Sequence, residues 1–217
     1  MRILIIGAGK VGSSVAGNLV SESNDITIVD TNKAKIAEIQ SNYDLQGIVG
    51  DATSPSVLAD AGAVDADMII AVTANDETNL AVTLIAEQLF NVPSRIARVR
   101  NDELREYPAL LSTSGFRATS VIWPEEAITN YIVQLITYPE ALQVIEFSDG
   151  DVVLMSVKIV SSSKMCGRPV SALQDELPRV KVQIVSIYRQ KYRLDDIDGK
   201  TVLEAGDEIF FLTTKTC

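Results

Sequence analysis

Three glycines near the N-terminus have the spacing of a phosphate-binding loop. Gly7, Gly9 and Gly12 form the pattern G-x-G-x-x-G between the apolar run Arg2–Ile6 and a segment predicted to be helical. Gly7 permits a tight turn, Gly9 lets the backbone approach a pyrophosphate, and Gly12 allows the helix to pack closely. Free N–H groups and the dipole at the start of that helix favour a bound phosphate. The loop therefore predicts nucleotide binding.

Ala8, Lys10 and Val11 lie within the same loop, and an acidic residue follows at the distance that such loops require. Asp30 ends the next apolar run about 20 residues later. Its carboxylate suits a pair of ribose hydroxyls and would repel a 2′-phosphate, which favours NAD over NADP. The pattern does not distinguish NAD, NADH, ATP and ADP, because all four share the adenosine half. The alternative is a glycine turn that binds nothing, and the register of strand, helix and acid favours binding.

Further candidates stand where two later apolar runs end. Asp51 and Ala52 follow the third run, and Thr73, Ala74 and Asn75 follow the fourth at the start of a helix. Open α/β sheets hold ligands at the carboxyl ends of their strands. Each of these residues fits a loop or a helix cap as well as it fits a ligand contact.

Two arginines, Arg98 and Arg100, share one face of the fifth apolar run. A buried arginine requires a partner, because its charge is costly to desolvate. One interpretation is that one of these arginines contacts a phosphate. The alternative interpretation is that it forms a salt bridge with one of the many carboxylates.

The elements that must position these residues alternate between strand and helix. Each strand is a short apolar run, as expected for a buried parallel strand. The predicted strands are Arg2–Ile6, Ile26–Asp30, Leu45–Val49, Met68–Thr73, Arg95–Arg100 and Ala118–Trp123. The predicted helices are Val11–Val20, Lys33–Gln40, one capped by Ser54 before Pro55, and one from Asn75 to Phe90. This alternation predicts an α/β fold, a Rossmann-type doubly wound parallel sheet.

The pattern changes after a further helix that begins at Pro124 and stops before Pro139. An apolar stripe at helical spacing runs along it through Ile128, Tyr131, Ile132, Leu135 and Ile136. From Ala141 the chain is strand-like, with turn signals at Asp149-Gly150, Asp198-Gly199 and Ala205-Gly206. We therefore expect a nucleotide-binding domain over 1–140 and a small α+β domain over 141–217.

Composition narrows the possible partners. The chain has 217 residues, 47% apolar and 22% charged, with a formal net charge of −10. Such a surface repels phosphate backbones and anionic lipid, so we expect no nucleic-acid partner. No apolar stretch approaches the length of a membrane span and no secretory signal precedes the first strand, which predicts a cytosolic protein without membrane insertion.

The chain contains no histidine, which bears on enzymatic chemistry. Imidazole metal sites, Ser-His or Cys-His nucleophilic pairs and the commonest general base are therefore excluded. The two cysteines, Cys166 and Cys217, lie far apart and form no C-x-x-C pair, so no metal site is expected. A dehydrogenase also needs a group that moves a proton, and no Tyr-x-x-x-Lys pair is present to supply one.

With these residues in place, the chain resembles the Trk-type potassium-uptake members of the regulator-of-potassium-conductance (RCK) family. The matching segments are IIGAGKVG, ITIVD, GDAT, DADMIIAVT followed by DETN, IARVR, YPEALQVIEF, GRPVSAL and EAGDEIFFL. They occur in this order over essentially the whole chain, which is far more specific than the glycine loop alone.

The resemblance implies a cytosolic subunit that docks on an integral membrane potassium transporter and gates it according to the bound nucleotide. It places the ligand contacts at Gly7 to Val11, Asp30, Thr73, Ala74 and Arg98. The helix after Trp123 is similar to the family's crossover helix, which places its apolar stripe in a subunit interface. Packing of the stripe on the protein's own sheet is the alternative.

The chain departs from the family in one respect, since such proteins carry two of these units in tandem and this sequence has one. It is either the N-terminal half of a longer protein or a single-unit relative that self-associates into dimers or higher rings. Three functional hypotheses follow: a switch that senses NAD(H) or ATP/ADP, an NAD-dependent oxidoreductase of small substrates, and a scaffold with a vestigial site. The absence of histidine favours the switch.

Overall fold

The computed structural model describes residues 1–20, 22, 24–112, 114–147, 151–173 and 182–214. Internal contacts divide the chain into two compact units, Met1–Ile128 and Thr129–Cys217. This division falls upstream of residue 140, and the domain boundaries drawn from the sequence stay a prediction. The turn expected at Asp149-Gly150 lies outside the described residues, as does Cys217.

The first unit contains a six-stranded sheet in which every neighbouring pair of strands is parallel. Its strands are β1 Arg2–Ile6, β2 Asp25–Asp30, β3 Gln46–Val49, β4 Met68–Ala71, β5 Ser94–Arg98 and β6 Ser120–Ile122. Their spatial order is β3-β2-β1-β4-β5-β6, which confirms the predicted doubly wound sheet. The order reverses between β1 and β4, and such a reversal opens a crevice at the carboxyl ends of the strands.

The helices lie between these strands or directly after the last of them. They are α1 Lys10–Val20, α2 Lys33–Asn42, α3 Pro55–Asp60, α4 Asp76–Phe90, α5 Pro108–Leu111 and α6 Pro124–Thr137. Two short 3₁₀ helices, Ala63–Asp65 and Asp102–Glu106, complete the unit. Ser54 stands at the N-cap of α3 as predicted, although its side chain makes no capping hydrogen bond.

The strands of this sheet are buried on both faces, as β1 illustrates. Leu4 and Ile6 belong to one apolar cluster, while Ile3 and Ile5 belong to another on the opposite face. Successive side chains of a strand point to opposite faces, so a strand that is covered twice must be apolar throughout. This arrangement explains the uninterrupted apolar runs and fixes the loops at the strand ends.

Two strands end two residues earlier than the sequence predicts, and in both cases a side chain takes the place of a ladder partner. β4 stops at Ala71 rather than Thr73, because the Thr73 N–H donates to Asn79 Oδ1 at 2.9 Å. β5 stops at Arg98 rather than Arg100, because the Arg100 N–H donates to Asp76 Oδ2 at 2.8 Å. These capped ends belong to the loops beside the crevice.

The second unit contains a five-stranded antiparallel sheet with the order β10-β9-β11-β8-β7. Its strands are β7 Ala141–Phe147, β8 Val152–Lys158, β9 Val182–Arg189, β10 Tyr192–Arg193 and β11 Glu208–Thr214. One face buries Val153, Ile187 and Ile209, and the last two pack in a cluster with Leu203. This antiparallel sheet confirms the small second domain that was predicted, and internal contacts group the α6 residues from Thr129 onward with it.

An ion pair fixes the turn before β11. Arg189 Nε and Nη2 donate to the two oxygens of Asp207, each at 2.8 Å, and the Asp207 side chain is fully buried. Burial raises the pKa of Asp207, but hydrogen bonds from Arg189 and from the Glu204 N–H outweigh it, and the net pKa is lowered. The same contact raises the pKa of Arg189.

Helix α6 begins at Pro124 as predicted, and its whole apolar stripe is exposed. The least covered member is Ile136, at 75% exposure. At the start of the helix the Arg105 guanidinium lies over the Trp123 ring, 4.6 Å from its centroid, and Arg105 Nη2 lies 3.2 Å from Glu126 Oε2. Within the described part of the chain, no helix has both the length and the apolar character to cross a bilayer.

Candidate functional site

The glycine loop joins β1 to α1, and its first residue turns sharply. Gly7 has φ +105°, a conformation that side chains with a Cβ rarely adopt, and its N–H donates to Val29 O at 2.8 Å. A Cβ on Gly7 would also lie 3.1 Å from the Thr73 backbone. The turn therefore brings the glycine loop and the loop after β4 into close approach.

The other two glycines have different surroundings. A Cβ on Gly12 would lie 1.8 Å from Gly7 O, so only glycine lets α1 begin this close to the loop. A Cβ on Gly9 would meet nothing within 4 Å. The space beside Gly9 is open to a ligand, which agrees with the role predicted for that residue.

Asp30 ends β2 beside this loop and holds it. Its Oδ2 accepts the Ala8 N–H at 2.7 Å, and its Oδ1 accepts the Asn32 N–H at 2.8 Å. The carboxylate is therefore positioned by two backbone groups before any ligand binds.

These residues border a cleft of about 610 Å³ at the carboxyl ends of the strands. It is lined by eleven of the thirteen predicted site residues: Gly7, Gly9, Lys10, Val11, Asp30, Asp51, Ala52, Thr73, Ala74, Asn75 and Arg98. The remaining two, Ala8 and Gly12, do not line it. Ala8 donates to Asp30, and Gly12 packs against the loop backbone. That any of the thirteen contacts a nucleotide stays a prediction.

Asp51 follows β3 at the edge of the cleft. Its Oδ1 accepts the Thr53 N–H at 2.9 Å and the Thr53 hydroxyl at 2.8 Å. These two hydrogen bonds, the backbone one first, lower the pKa of Asp51. The carboxylate is charged at neutral pH, and it shapes the turn as well as lining the cleft.

The loop after β4 is built around two asparagines. Asn75 caps α4, and its side chain accepts the Thr78 N–H at 2.6 Å. Asn79, one turn further on, is fully buried and hydrogen-bonds to both Thr73 and Arg98. This loop therefore forms one rigid wall of the cleft.

Two arginines of β5 are equally buried, at 7% exposure, but are bonded differently. Arg95 donates to the carbonyls of Arg117, Val92 and Pro93, away from the cleft. Arg98 lines the cleft, and its Nη2 donates to Thr73 O. Its Nε is buried and has no partner among the described residues. Burial lowers the pKa of Arg98, with Arg100 as a further cause.

Sequence reasoning missed several cleft residues. Thr31, Lys35, Gly50 and Thr78 line the cleft, and Arg100, which the sequence left open between two interpretations, lines it as well. Lys35 stands in the first turn of α2, a turn without acidic residues. A basic side chain at a helix start, where acids are favoured, was the signal that could have identified it.

Two domain models of one protein family match this chain. Residues 3–124 match the model of the TrkA-N domain, and residues 154–216 match that of the TrkA-C domain. The chain belongs to the TrkA family. The TrkA-N match contains every residue of the cleft, so the candidate site is a feature of that domain.

Named relatives agree with the assignment to the TrkA family. The Trk system potassium uptake protein TrkA of Vibrio alginolyticus is 45% identical over 98% of this chain and 46% of its own length. The protein of the same name from Haemophilus influenzae is 42% identical over the same shares. A TrkA homolog from Methanothermobacter thermautotrophicus is 31% identical over 87% of this chain and 82% of its own length. The chain thus spans about half the length of the first two relatives.

Solved structures share the fold of this chain. The GsuK channel matches 99% of this chain and 37% of its own, with TM-score 0.66 at 20% identity. The GsuK RCK domain gives 0.63 at 19% identity, over 99% of this chain and 45% of its own.

GsuK has also been solved with ligands bound. The channel bound to NAD gives TM-score 0.63 at 18% identity over 99% of this chain and 37% of its own. The structure bound to ADP gives 0.53 at 21% identity over 64% of this chain and 35% of its own. At these identities the comparison shows a shared fold.

Proposed function

We propose that the chain is a nucleotide-binding regulatory subunit that gates a Trk-type membrane potassium transporter in response to NAD(H) or ATP/ADP. The main observation in support of nucleotide binding is Arg98. It is a buried cation in the cleft wall, and its Nε has no partner among the described residues. An unsatisfied buried donor costs about 1–3 kcal/mol. A phosphate oxygen in the cleft would relieve that cost.

The charges around the cleft support an anionic ligand. Four basic side chains line it, and the acidic side chains among its described lining residues are Asp30 and Asp51. The basic side chains are those of Lys10, Lys35, Arg98 and Arg100. This local excess of positive charge stands within a chain of net charge −10. Together with the N–H groups of the glycine loop, it favours phosphate within the cleft while the rest of the surface repels it.

Asp30 supports an adenosine ligand in particular. Each carboxylate oxygen already accepts one backbone N–H, which leaves one further lone pair on each for a ribose hydroxyl. NAD and ADP, which GsuK binds in structures of the same fold, both contain such a ribose. The cleft is therefore proposed to hold adenine nucleotides, with the ribose at Asp30 and the phosphates between the glycine loop and Arg98.

A regulatory function fits the cleft better than an enzymatic one. Its described lining contains no tyrosine, cysteine or histidine to move a proton during hydride transfer. The named relatives are potassium uptake proteins. No observation favours the oxidoreductase alternative.

Assembly is the second part of the proposal. Within the second unit, Tyr131 and Leu135 of α6 line one groove together with Leu142 and Ile145 of β7, and all four side chains are at least 47% exposed. Contiguous apolar surface of this kind marks a protein interface. We assign it to self-association in dimers or higher rings. The partner surface belongs either to a second copy of this chain or to a further unit of the kind that the length of longer relatives allows.

Regulation then requires that nucleotides bind two conformations of the assembly unequally, since a ligand shifts an equilibrium only by its differential affinity. The conformational change acts on the docked transporter, so the subunit works at the inner face of the cell membrane. It reaches that face through its partner and without inserting into the bilayer.

Two measurements test the proposal. Isothermal titration of the chain with NADH, NAD, ATP and ADP tests binding, and unequal affinities support a switch. Potassium uptake is then measured in cells that lack the gene and carry either the wild type or Arg98→Ala. Gating is supported if the wild type binds nucleotide and restores potassium uptake, and if uptake with Arg98→Ala does not respond to nucleotide. Absence of binding to all four nucleotides would overturn the function.

A further inference from the structure

Asn79 uses every hydrogen-bonding group of its side chain to join two loops of the cleft. Its Oδ1 accepts from the Thr73 N–H at 2.9 Å and from Thr73 Oγ1 at 2.7 Å. Its Nδ2 donates to Thr73 O at 3.2 Å and to Arg98 O at 2.9 Å. The side chain is fully buried, and an amide has just two donors and two acceptor lone pairs. No capacity remains for a ligand.

The position of this bridge matters because the sheet has ended there. β4 and β5 are paired only up to Ala71 and Ala97. Beyond that pair of residues, the two segments continue as the loops that line the cleft. Asn79 spans the gap and fixes Thr73 relative to Arg98 by contacts that the backbone ladder no longer supplies.

The same carbonyl then orients the arginine. Thr73 O accepts from Asn79 Nδ2 and also from Arg98 Nη2. The guanidinium is therefore held at a point that Asn79 itself locates. With Nη2 engaged there, the unpaired Nε of Arg98 is left in the buried wall of the cleft.

We propose that Asn79 is a positioning residue of the nucleotide site, which sets the direction of the Arg98 guanidinium and the place of the Thr73 loop. It contacts no ligand and acts through these two residues. The inference rests on the proposed nucleotide binding and adds to it the residue on which phosphate recognition depends.

One turn further along α4, a comparable residue provides a matched control. Thr83 is also fully buried and polar, but its hydroxyl donates to Leu80 O and Phe116 O, away from the cleft. A purely structural role for Asn79 predicts that changes at these two positions act alike. A positioning role predicts that they differ in affinity.

The test compares Asn79→Ala with Thr83→Val by titration of ATP and NADH, after circular dichroism has shown that each variant is folded. We expect Asn79→Ala to weaken binding at least tenfold and Thr83→Val to change it less than twofold. Equal affinities of the two folded variants would overturn the positioning role. If the wild type itself binds neither nucleotide, the proposed function fails instead, which keeps the two failures distinct.

Asn79→Asp gives a second readout, which also serves if Asn79→Ala does not fold. The introduced group keeps the acceptor for Thr73 and, once protonated, again donates to one of the two carbonyls. Because burial beside carbonyl oxygens favours the protonated form, the ratio of variant to wild-type Kd should fall towards one between pH 9 and pH 5.5. A ratio that does not change over this range would count against the proposal.

Discussion

The carboxylate of Asp30 accepts the N–H of Ala8 at 2.7 Å, so the end of β2 is tied directly to the glycine loop. The residue proposed to bind the ribose also holds the loop proposed to bind the phosphates. Ligand contacts at the two ends of a nucleotide are thereby coupled through one side chain.

Replacement of Asp30 should weaken all adenosine ligands together. Asp30→Ala removes the ribose acceptors and releases Ala8, and hydrogen bonds to charged groups are worth about 1.5–3 kcal/mol, or roughly tenfold to a hundredfold in affinity. Titration of NADH and ATP measures the effect. Asp25→Ala, at the opposite and exposed end of the same strand, serves as the control. Selective loss of one nucleotide would argue against an adenosine contact at Asp30.

Substitutions at two glycines of the loop should affect different properties: one the stability of the protein, the other its affinity for nucleotide. Gly12→Ala forces a Cβ against Gly7 O and should cost about 1–3 kcal/mol, as overpacking does. Gly9→Ala meets nothing within the protein, so its thermal midpoint should stay near that of the wild type while nucleotide affinity falls. Thermal denaturation and titration of both variants check this. If Gly9→Ala bound normally, the ligand would not approach the loop at that point.

The two buried arginines of β5 should show opposite effects. Arg98→Ala removes a cation of the cleft and should lower phosphate-dependent affinity by about tenfold or more, with a weaker salt dependence. Arg95→Ala breaks contacts to carbonyls away from the cleft, and should lower the thermal midpoint while the folded protein binds normally. Comparable losses of affinity in both variants would show that Arg98 has no special role.

The stripe of α6 should control self-association. Ile136 is 75% exposed, so Ile136→Asp should change the free energy of unfolding by less than about 0.5 kcal/mol. A charge in an apolar interface should nevertheless dissociate the oligomer, which sedimentation velocity detects. Asn130→Asp, at an exposed polar position of the same helix, is the matched control. An oligomer that survives Ile136→Asp would place the interface elsewhere.

Acid should destabilise the second unit through Asp207. Its pKa is lowered in the folded state, so its stabilising contribution is fully present above the unfolded pKa of about 3.9 and is lost as pH falls through the folded pKa. Thermal midpoints between pH 7 and pH 2.5 measure the loss. Asp207→Asn should be less stable at pH 7, because Arg189 keeps Glu204 but loses its buried charged partner, and its midpoint should depend less on pH below 4. An unchanged pH profile in the variant would exclude Asp207 as the source.

Local patterns predicted the turn at Gly7, the close packing at Gly12 and the place of Asp30, because these parts are near one another in the sequence. Gly7, Gly12 and Asp30 have roles that follow from chain direction and one turn, and the structure places each where the pattern required. The doubly wound order follows in the same way from the alternation of strands and helices.

Contacts between distant segments were not predictable. The strand ends at Ala71 and Arg98 depend on Asn79 and Asp76, which belong to a helix that a single sequence does not place against those strands. Strand alternation separates Arg95 from Arg98 and Arg100, but it does not show that the Arg98 guanidinium is bonded to Thr73 O. Helix α5 has just four residues, too few for a periodic signal.

The contact of Arg105 with Trp123 gives this chain an internal optical probe. Trp123 is its single tryptophan, and it lies between the sheet strand β6 and the first turn of α6. Indole emission depends on nearby charge and on access of water. Any movement of the helix that shifts Arg105 from the ring must therefore alter the emission spectrum of the unlabelled protein. The conformational change proposed for regulation can therefore be sought by fluorescence in real time, without an added dye and at the start of α6.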